Sequence, residues 1–504
     1  MSRRSLLKRL ICAISATTLA VLGSAAQIPG SERVSASNGI DWPMYGHDLS
    51  RTNASSEAIL STANAPLLQK KWAFLTGGVI AAAPTIVQGV AYIGSWDGFE
   101  YALDANTGTF IWKTYIGQTS APLCLPPAPG VTSTAAVQNG VVYVGGGDSY
   151  WYALNAANGA ILWRVFTGDN SAASGHYNWS SPTIYGHYAF VGVASECDIP
   201  LVQGQFLQID LNTQQVVNSI PIVPSGQVGG GVWTSPAVDP STNTVYIDTG
   251  TLHSASPSQT MSEAVLAIDA NSLVVKDVWQ LPRSQAGIDS DWGTSPILFQ
   301  DAHGRSLLAA INKNGVLYAF DRTNLHAGPV WQRQIMIGGD CPTCGDGSVS
   351  SGAFANGVLY FAGGNALING VVTPGFVSAF DPTTGNTLWT HQTDRPVIPA
   401  LSVDNGAVLA IEGTNLEVLD ASTGIDLYDY ATAGPGYSQP VVWNGNVYFG
   451  GSDGTFYDLT LGSPATIPSD PNCPAPFTCE DIGNPPAGSE QTNGSVLTLS
   501  ASGT

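Results

Sequence analysis

The sequence predicts an all-β protein, an eight-bladed β-propeller of four-stranded antiparallel blades. The main observation is a repeated phrase, in which Ala, an apolar residue and Asp or Asn precede a Gly and then a Trp. Its clear copies begin at Ala102, Ala153, Ala319 and Ala379, and weaker copies lie near 209, 267 and 418. A period of roughly 40 to 60 residues with several short strands per unit is typical of propeller blades. Because one blade cannot bury both of its faces, the copies are expected to close into a ring around an axial funnel.

The first complete blade shows the elements of the repeat in order. Its strands are expected at 83–87, 90–94, 99–104 and 110–113, where apolar residues alternate between turn residues. Within the repeated phrase, Asp begins a turn, Gly supplies a positive φ, and Trp buries its indole between neighbouring blades.

The two ends of the repeat array predict how the ring closes. Seven units run to about residue 433, but the eighth, at 439–459, has no Trp strand of its own. An isolated strand around Trp72 precedes the first blade. Pairing of these N- and C-terminal strands would complete the eighth blade and leave no long exposed edge. The propeller is therefore expected over residues 41–462.

The segments outside the propeller predict export. Residues 1–26 are typical of a twin-arginine-like signal peptide, with Arg3-Arg4 before an apolar run and small residues at 24–26. Residues 27–40 are expected to be a disordered spacer, and 463–504 an irregular C-terminal tail. No later stretch reaches the ~20 apolar residues of a membrane helix. The expected location is periplasmic or extracellular, without a membrane span.

The charge balance excludes one class of partner. The chain has a net charge of −20 with only 17 basic residues, so no basic surface is available to neutralise nucleic-acid phosphates. Charged residues make up 11% of the chain, against about 25% in ordinary soluble proteins. We hypothesise an adaptation to an acidic exterior, which a stability profile that stays flat into low pH would support.

The cysteines suggest disulfides in an oxidising compartment. Six of the seven remain after the signal peptide, and an even number favours pairing. Cys341 with Cys344, and Cys473 with Cys479, would close local loops, which would leave Cys124 with Cys197. A metal knuckle at Cys341 and Cys344 is the less favoured alternative, because no second pair of ligands follows.

Four short segments break the repeat and contain the candidate site residues. They are Gly229-Gly230-Gly231-Val232-Trp233, Ala194-Ser195-Glu196, Asp289-Ser290-Asp291 and Asn312-Lys313-Asn314-Gly315. An indole offers a flat apolar face to a planar aromatic ligand. Carboxylates and a lysine suit a hard metal ion, stabilise developing negative charge and can take a proton from an alcohol.

On these residues the chain resembles the pyrroloquinoline-quinone (PQQ) dependent alcohol dehydrogenases, eight-bladed quinoproteins, and looks most similar to their polyvinyl alcohol dehydrogenase-like branch. The resemblance implies that PQQ stacks on Trp233, which follows Gly230 and Gly231 and precedes Asp239 by six residues. It implies that Lys313 hydrogen-bonds the quinone oxygens.

The same resemblance implies a metal ion, Ca²⁺ or a lanthanide. Its ligands would be Glu196, Thr251, Asp289 and Asp291, with Asp289 also the catalytic base. Thr251 stands where the family usually has Asn, and a hydroxyl is a weaker ligand. The family's adjacent cysteine pair is absent, so Cys124 and Cys197 would cap the cofactor instead.

The implied function is oxidation of a small-molecule or polymeric alcohol by hydride transfer to PQQ. No haem-attachment motif occurs, so electrons would leave to a separate acceptor such as a cytochrome. The alternative is a non-catalytic propeller scaffold for protein partners, similar to outer-membrane assembly lipoproteins. A hydrolase is disfavoured because no Ser/His/Asp arrangement is visible.

Each site residue also has a structural alternative. Trp233 would instead pack between blades, Glu196 would be a solvated carboxylate at a strand end, and Asp289 and Asp291 would bond backbone amides in a turn. His176 is expected to be a loop or packing residue. The argument for a site is the joint occurrence of four matches in the family's order.

Overall fold

The computed structural model describes residues 41–119, 129–250, 252–253, 259–462, 489–493 and 496–500. Within this part of the chain, eight antiparallel sheets follow one another, and in each the strands pair in an up-and-down order. The predicted eight-bladed all-β propeller is therefore confirmed.

The first four blades follow the predicted repeat closely. Blade 1 contains Thr85–Val87, Val90–Gly94, Phe99–Asp104 and Phe110–Tyr115, and blade 2 contains Ala136–Gln138, Val141–Gly145, Tyr150–Asn155 and Ile161–Phe166. Blade 3 contains Thr183–Tyr185, Tyr188–Ser195, Gln205–Asp210 and Gln215–Pro221, and blade 4 contains Ala237–Asp239, Thr244–Asp248, Ala264–Asp269 and Val275–Gln280. Blade 3 has an additional strand, His176–Tyr177, which pairs with the end of its second strand. His176 was expected to be a loop or packing residue; the strand excludes the loop, and the His176 ring packs against Gly168.

The remaining blades complete the ring. Blade 5 contains Ile297–Gln300, Ser306–Asn312, Val316–Asp321 and Pro329–Gln334, and blade 6 contains Ala353–Ala355, Val358–Gly363, Gly375–Phe380 and Thr387–Thr393. Blade 7 contains Ser402–Asp404, Ala407–Glu412, Asn415–Asp420 and Asp426–Ala431, and blade 8 contains Val441–Trp443, Asn446–Gly450, Thr455–Leu461 and Leu68–Leu75. Three short 3₁₀ helices are Ala65–Leu67, Leu325–Ala327 and Pro342–Cys344.

The N-terminal strand closes the ring as predicted. Leu68–Leu75 pairs antiparallel with Thr455–Leu461 and forms the outer strand of blade 8. Across this seam, Lys71 Nζ lies 3.7 Å from the Oδ2 atom of the fully buried Asp458 side chain. The closure therefore combines backbone pairing with one buried ion pair.

The repeated Trp and Gly residues meet at the contact between neighbouring blades. Trp112 of blade 1 donates an Nε1 hydrogen bond of 2.9 Å to the Ala156 carbonyl of blade 2. A Cβ atom at Gly159 would lie 2.6 Å from the Trp112 ring, and Gly159 has a φ of 71°. Gly is therefore required twice, by its backbone angle and by the indole that packs on it. The same pairs recur as Trp72 on Gly108, Trp331 on Gly385 and Trp389 on Gly424.

The hydrophobic core is divided into layers between blades. Between blades 1 and 2, for example, buried Tyr92 and Trp112 pack with Val142 and Leu154. Apolar burial between every pair of sheets is the favourable term that holds such a ring together.

An N-terminal segment, residues 42–57, lies across the propeller at the end opposite to the blade-to-blade connections. Its backbone exchanges hydrogen bonds with the inner strands of six blades, at Ile86, Val137, Val238, Leu298, Phe354 and Val403. Arg51, which is fully buried, donates to Pro236 O at 2.8 Å and to Thr183 Oγ1 of blade 3. Glu57 accepts backbone hydrogen bonds from Asn444 and Gly445 of blade 8. This one segment therefore contacts all eight blades.

Two hairpins were not predicted. Ala366–Ile368 pairs with Val371–Thr373 as an insertion in blade 6. Ser489–Asn493 pairs with Val496–Ser500 in the C-terminal tail, where an irregular segment is expected. The expected signal peptide and spacer lie outside the described residues. In the part of the chain that the structure describes, no helix has the length and apolar character needed to cross a membrane.

Candidate functional site

The segments singled out in the sequence meet at one end of the propeller. In an up-and-down blade, the hairpin between the second and third strands and the connection to the next blade lie at the same end. Glu196 and Lys313 directly follow second strands, whereas Trp233, Asp289 and Asp291 lie in blade-to-blade connections. The topology therefore brings residues that are up to 117 positions apart in the sequence to one opening.

Two adjoining cavities occupy the axis at this end. The first, here called the acid cavity, measures about 360 Å³. Its wall contains the charged residues Glu196, Asp198, Asp291 and Lys313, the indoles of Trp179 and Trp233, and six further residues including Gly231. The second, here called the axial cavity, measures about 520 Å³ and contains residues of every blade-to-blade connection. Trp179, Trp233 and Val349 line both cavities, so the two indoles lie at the boundary.

Two rings of residues line the axial cavity, and each blade connection contributes one residue to each ring. The outer ring, next to the acid cavity, is Ala81, Thr132, Trp179, Trp233, Gly293, Val349, Ile398 and Tyr437. The inner ring lies two residues later in each connection and is Ala83, Thr134, Ser181, Ser235, Ser295, Ser351, Ala400 and Gln439. Extended backbone points residues two apart to the same side, which explains why both rings face the axis.

Five consecutive members of the inner ring are hydroxyl residues joined around the axis. Backbone N–H groups of Ala83, Thr134, Ser181, Ser235 and Ser295 donate to the hydroxyl of the next blade at 2.9–3.0 Å. The last hydroxyl, Ser351 Oγ, also accepts a 2.9 Å hydrogen bond from the Tyr45 hydroxyl of the N-terminal segment. Tyr45 lines the axial cavity as well. The cavity thus has a polar inner end bounded by Tyr45.

Trp233 lies in the cavity wall rather than between blades. Its side chain is partly exposed, it lines both cavities, and Lys313 Nζ lies 5.1 Å from the centre of its ring. A cation at this distance from an indole face is an attractive contact. The indole therefore presents an accessible aromatic surface beside a positive charge.

Lys313 is held between the two aspartates of the Asp289-Ser290-Asp291 segment. Its Nζ donates a 2.8 Å hydrogen bond to Asp289 Oδ2 and lies 3.7 Å from Asp291 Oδ2. Burial by itself lowers the pKa of Lys313, but the neighbouring carboxylates outweigh burial and raise the pKa above its ordinary value. Lys313 is therefore a fixed positive charge in this cavity.

The two aspartates differ in position. Asp291 is buried and forms part of the acid-cavity wall. Asp289 lies beside that wall at the rim, with its side chain 24% exposed, and its Oδ1 accepts a 3.0 Å hydrogen bond from the Asp291 amide. Asp289 therefore bonds a backbone amide in a turn, as the alternative considered from the sequence had it, and it also contacts Lys313.

Glu196 is buried at the end of the second strand of blade 3. Its Oε2 accepts a 2.8 Å hydrogen bond from Thr119 Oγ1, whereas its buried Oε1 has no hydrogen-bond partner among the described residues. Burial raises the pKa of Glu196, and the Thr119 hydrogen bond only partly opposes this effect. A buried carboxylate oxygen without a donor is costly unless a cation or a proton satisfies it. Glu196 is therefore not a solvated carboxylate at a strand end, which was the alternative considered from the sequence.

The glycine run positions Trp233 by close backbone packing. Gly231 lines the acid cavity and accepts a 2.8 Å hydrogen bond from the Gly250 amide. Gly230 has a φ of 66°, and a Cβ atom there would lie 2.5 Å from the Ile222 side chain. Gly230 is therefore a packing residue behind the cavity wall, and only Gly231 lies where a cofactor contact is expected.

Three predicted residues concern the cysteines and the metal. Thr251 and Cys124 lie outside the described residues. Cys197 lines the acid cavity and is disulfide-bonded. Because Cys124 is not among the described residues, the pairing of Cys197 with Cys124 stays a prediction. Cys341 and Cys344 form the predicted local disulfide; Cys473 and Cys479 are outside the described residues.

Trp179 is a site residue that the sequence analysis did not select. Its indole N–H donates to the carbonyls of Ser195 and Glu196 at 2.9 and 3.1 Å, which fixes the backbone that carries Glu196. The sequence did contain a signal for Trp179, because Trp179-Ser180-Ser181-Pro182 and Trp233-Thr234-Ser235-Pro236 both read Trp, hydroxyl residue, Ser, Pro at equivalent positions of their blades.

The acid cavity is suited to a cation. Its wall contains the three carboxyl groups of Glu196, Asp198 and Asp291 and one ammonium group, Lys313. With all of them ionised, three negative charges and one positive charge leave a net charge of −2. Among the described residues, no group of three or more His, Cys, Asp or Glu side chains is close enough to hold a metal ion. The unsatisfied Glu196 Oε1 and the carboxylate of Asp291 nevertheless fit oxygen ligands of a hard cation.

Comparison with known proteins identifies the family. A family model described as "Outer membrane protein assembly factor BamB" (PQQ_2) matches residues 45–327 and 374–463. A polyvinylalcohol dehydrogenase of Sphingopyxis sp. (strain 113P3) is 25% identical over 455 residues, which cover 78% of this chain and 66% of that protein. A second one, from Pseudomonas sp., is 25% identical over 59% of this chain and 52% of its own length. This chain thus spans between about half and two thirds of these relatives.

Solved structures support the fold. The quinohemoprotein alcohol dehydrogenase of Comamonas testosteroni superposes with a TM-score of 0.67 at 20% identity, covering 85% of this chain and 81% of that chain. A europium-containing methanol dehydrogenase gives a TM-score of 0.67 at 18% identity, covering 83% and 89%. The predicted resemblance to PQQ-dependent alcohol dehydrogenases is confirmed by the named relatives. Since the family model matches more than half of the sequence, the chain belongs to the PQQ_2 family of propeller-repeat proteins.

Proposed function

We propose that this protein is a PQQ-dependent alcohol dehydrogenase. The observation that carries the proposal is the Trp233 indole, exposed in a cavity wall with the Lys313 ammonium 5.1 Å from its ring centre and two buried acids in the same wall. The BamB description of the matched family keeps a scaffold as the alternative. A scaffold has no need for buried carboxylates and a lysine around an accessible indole, so the arrangement favours the enzyme.

PQQ would be held by Trp233 on one face and by Lys313 at its oxygens. Bound in this way, PQQ would supply the acceptor for the hydride and its two electrons. Glu196 and Asp291, with Thr251, would hold Ca²⁺ or a lanthanide. The europium-containing structural neighbour is consistent with a lanthanide, for which Asp291 would be the additional carboxylate ligand.

Asp289 would accept the proton of the alcohol hydroxyl. It lies at the rim, where a substrate that enters from solvent meets it, and its Oδ2 is held 2.8 Å from Lys313 Nζ. A carboxylate held by a lysine and a backbone amide is oriented before the substrate arrives, which is a requirement for general base catalysis. Glu196, which is buried and bonded to Thr119, is placed less well for this role.

The substrate is proposed to be an alcohol, small or polymeric, as in the named relatives. With no haem-attachment motif in the chain, electrons would pass to a separate acceptor such as a cytochrome. Export to the periplasm or the exterior is proposed from residues 1–26, and an oxidising location is consistent with the Cys341–Cys344 disulfide.

The decisive experiment adds PQQ with Ca²⁺ or La³⁺ to the purified protein. We expect stoichiometric binding, followed as quenching of tryptophan fluorescence, and alcohol-dependent reduction of an artificial dye. Absence of both with every ion would favour the scaffold.

A further inference from the structure

One segment near the site is not part of the matched family repeat. The family model stops at residue 327 and resumes at 374. Residues 328–373 contain the outer strand of blade 5, the disulfide Cys341–Cys344, and the inserted hairpin of blade 6. The matched family model therefore does not account for this part of the chain.

The loop closed by the disulfide, here called the disulfide loop (residues 341–344), lies against both cavities. Pro342 lines the acid cavity, and Thr343 lines the axial cavity. Trp233 also lines both cavities, so the disulfide loop and the indole are parts of the same cavity walls.

The segment around the disulfide loop also holds Lys313. The Gly339 amide donates a 2.9 Å hydrogen bond to the Lys313 carbonyl, and the Lys313 amide donates 2.9 Å to the Asp291 carbonyl. The loop is fixed on its other side, where Asn365 donates to Asp346 Oδ1 at 2.8 Å. The backbone of Lys313 is thus positioned between the Asp291 segment and the segment that contains the disulfide.

The length of the cross-linked loop indicates what the disulfide does. Stabilisation by a disulfide increases with the number of residues it encloses, and this one joins cysteines only three positions apart. Its contribution to global stability is therefore small, and its main effect is to restrict Pro342 and Thr343 locally. Cys344 is exposed and Cys341 partly so, which makes the bond accessible to a dithiol.

We propose that the disulfide loop is a redox-sensitive wall of the ligand cavity and a positioning element for Lys313. When a dithiol breaks the S–S bond, it is oxidised to its own disulfide and leaves two thiols, on Cys341 and Cys344. Pro342 and Thr343 then lose their fixed position, and the cavity binds a planar anionic ligand less tightly. The ligand class rests on the proposed function; the restriction of the cavity does not.

The test compares the oxidised protein, the protein reduced with dithiothreitol, and the Cys341→Ser/Cys344→Ser variant. The matched control is Cys473→Ser/Cys479→Ser, which removes the cysteine pair of the C-terminal tail. The first readout needs no cofactor: acrylamide quenching of tryptophan fluorescence in the apoprotein, taken as the difference from the same protein with Trp233→Phe because the chain has 13 tryptophans, reports how accessible Trp233 is. The second readout is the Kd for PQQ with Ca²⁺.

We expect reduction and the Cys341/Cys344 variant to increase acrylamide quenching and to weaken PQQ binding about tenfold, with the control unchanged. Reoxidation of the reduced wild-type protein should restore both values, which also excludes misfolding as the cause. Dithiothreitol also acts on the disulfide of Cys197 in the acid-cavity wall, so the variant decides: unchanged quenching in the Cys341→Ser/Cys344→Ser variant would overturn the proposal. If the oxidised wild type binds no PQQ, the proposed function fails, and the quenching result still decides the role of the loop.

Discussion

The Lys313 ammonium group lies between two partners, 5.1 Å from the centre of the Trp233 ring and 2.8 Å from Asp289 Oδ2. These residues come from blade 5 and from two different blade connections, and the packing of neighbouring blades brings them together. One positive charge thus links the aromatic surface to the proposed base.

Trp233→Ala should weaken PQQ binding at least ~10-fold, because the flat apolar face on which the quinone would stack is removed. The measurement is a fluorescence titration of the apoprotein with PQQ and Ca²⁺. Trp163→Phe is the matched control, since Trp163 lies on the outer strand of blade 2 outside both cavities. Equal affinity of Trp233→Ala and wild type would remove Trp233 from the site.

The two aspartates should separate into two phenotypes. Asp289→Ala is expected to lower kcat by about 10²–10⁴-fold and leave PQQ binding intact, because the proposed proton acceptor is lost. Asp291→Ala is expected to weaken binding of La³⁺ more than binding of Ca²⁺, because a carboxylate of the cavity wall is lost. Single-turnover dye reduction and terbium luminescence measure the two effects. Normal turnover of Asp289→Ala would show that the base is another group.

The sequence predicted the ring better than the site, and particular residues show why. The contact that Trp112 makes with Gly159 recurs in several repeats, so periodicity alone reveals the blades and the vacancy that Leu68–Leu75 fills. Gly230 could not be separated from Gly231, because which of two adjacent glycines faces a cavity depends on Ile222, a contact with no sequence signal.

No sequence pattern predicted the N-terminal segment that lies across one end of the ring. Residues 42–57 contact the blades mainly through backbone groups, which are the same in every amino acid except proline. The ring of hydroxyls was visible in part, since Ser181, Ser235 and Ser295 each precede a proline, but its meaning depends on the circular closure. Trp179 was missed for the same reason.

The buried Arg51 should be essential for stability. Its guanidinium donates to the Pro236 carbonyl, the Tyr45 carbonyl and Thr183 Oγ1. Arg51→Ala removes these three buried hydrogen bonds, although the Pro236 carbonyl keeps Thr183 Oγ1 as a donor, and should lower the free energy of unfolding by about 3 kcal/mol in urea titrations. Arg51→Lys should not restore stability, because a compact ammonium group lacks the planar fork of donors.

Arg333→Ala is the control for Arg51. Arg333 also donates to backbone carbonyls, of Thr384 and Gly385, but it does so at the exposed surface. Its loss should change the free energy of unfolding by no more than about 0.5 kcal/mol. Equal effects of the two substitutions would show that the N-terminal segment does not hold the ring together.

The ion pair at the seam predicts a pH-dependent effect. Burial raises the pKa of Asp458 to about 8, although Lys71 opposes the shift. Lys71→Ala should therefore destabilise the protein above pH 8 by roughly 1–2 kcal/mol, because Asp458 then ionises without the Lys71 ammonium and keeps only the neutral Asn446 amide as a donor. Below pH 6, where Asp458 is protonated, the loss should be smaller. Lys71→Ala/Asp458→Asn should be insensitive to this change of pH, as measured by thermal unfolding.

The buried acids predict greater stability in acid than at neutral pH. Burial, with the nearby Glu57 carboxyl, raises the pKa of Asp404 to about 8, and a hydrogen bond with Ser55 opposes this shift only in part. Between about pH 4 and pH 8 the folded state therefore binds more protons than the unfolded state, so the free energy of unfolding decreases as the pH rises. Acids with a lowered pKa, such as Asp269 at about 2, act in the opposite direction only below about pH 4. Urea titrations should consequently show maximal stability near pH 4–5.

Asp404→Asn should reduce the difference in the free energy of unfolding between pH 5 and pH 8 by roughly 2 kcal/mol, because an amide does not ionise. The exposed control Asp340→Asn should leave this difference unchanged. A maximum at neutral pH in the wild type would contradict the acidic-exterior hypothesis drawn from the scarcity of charged residues.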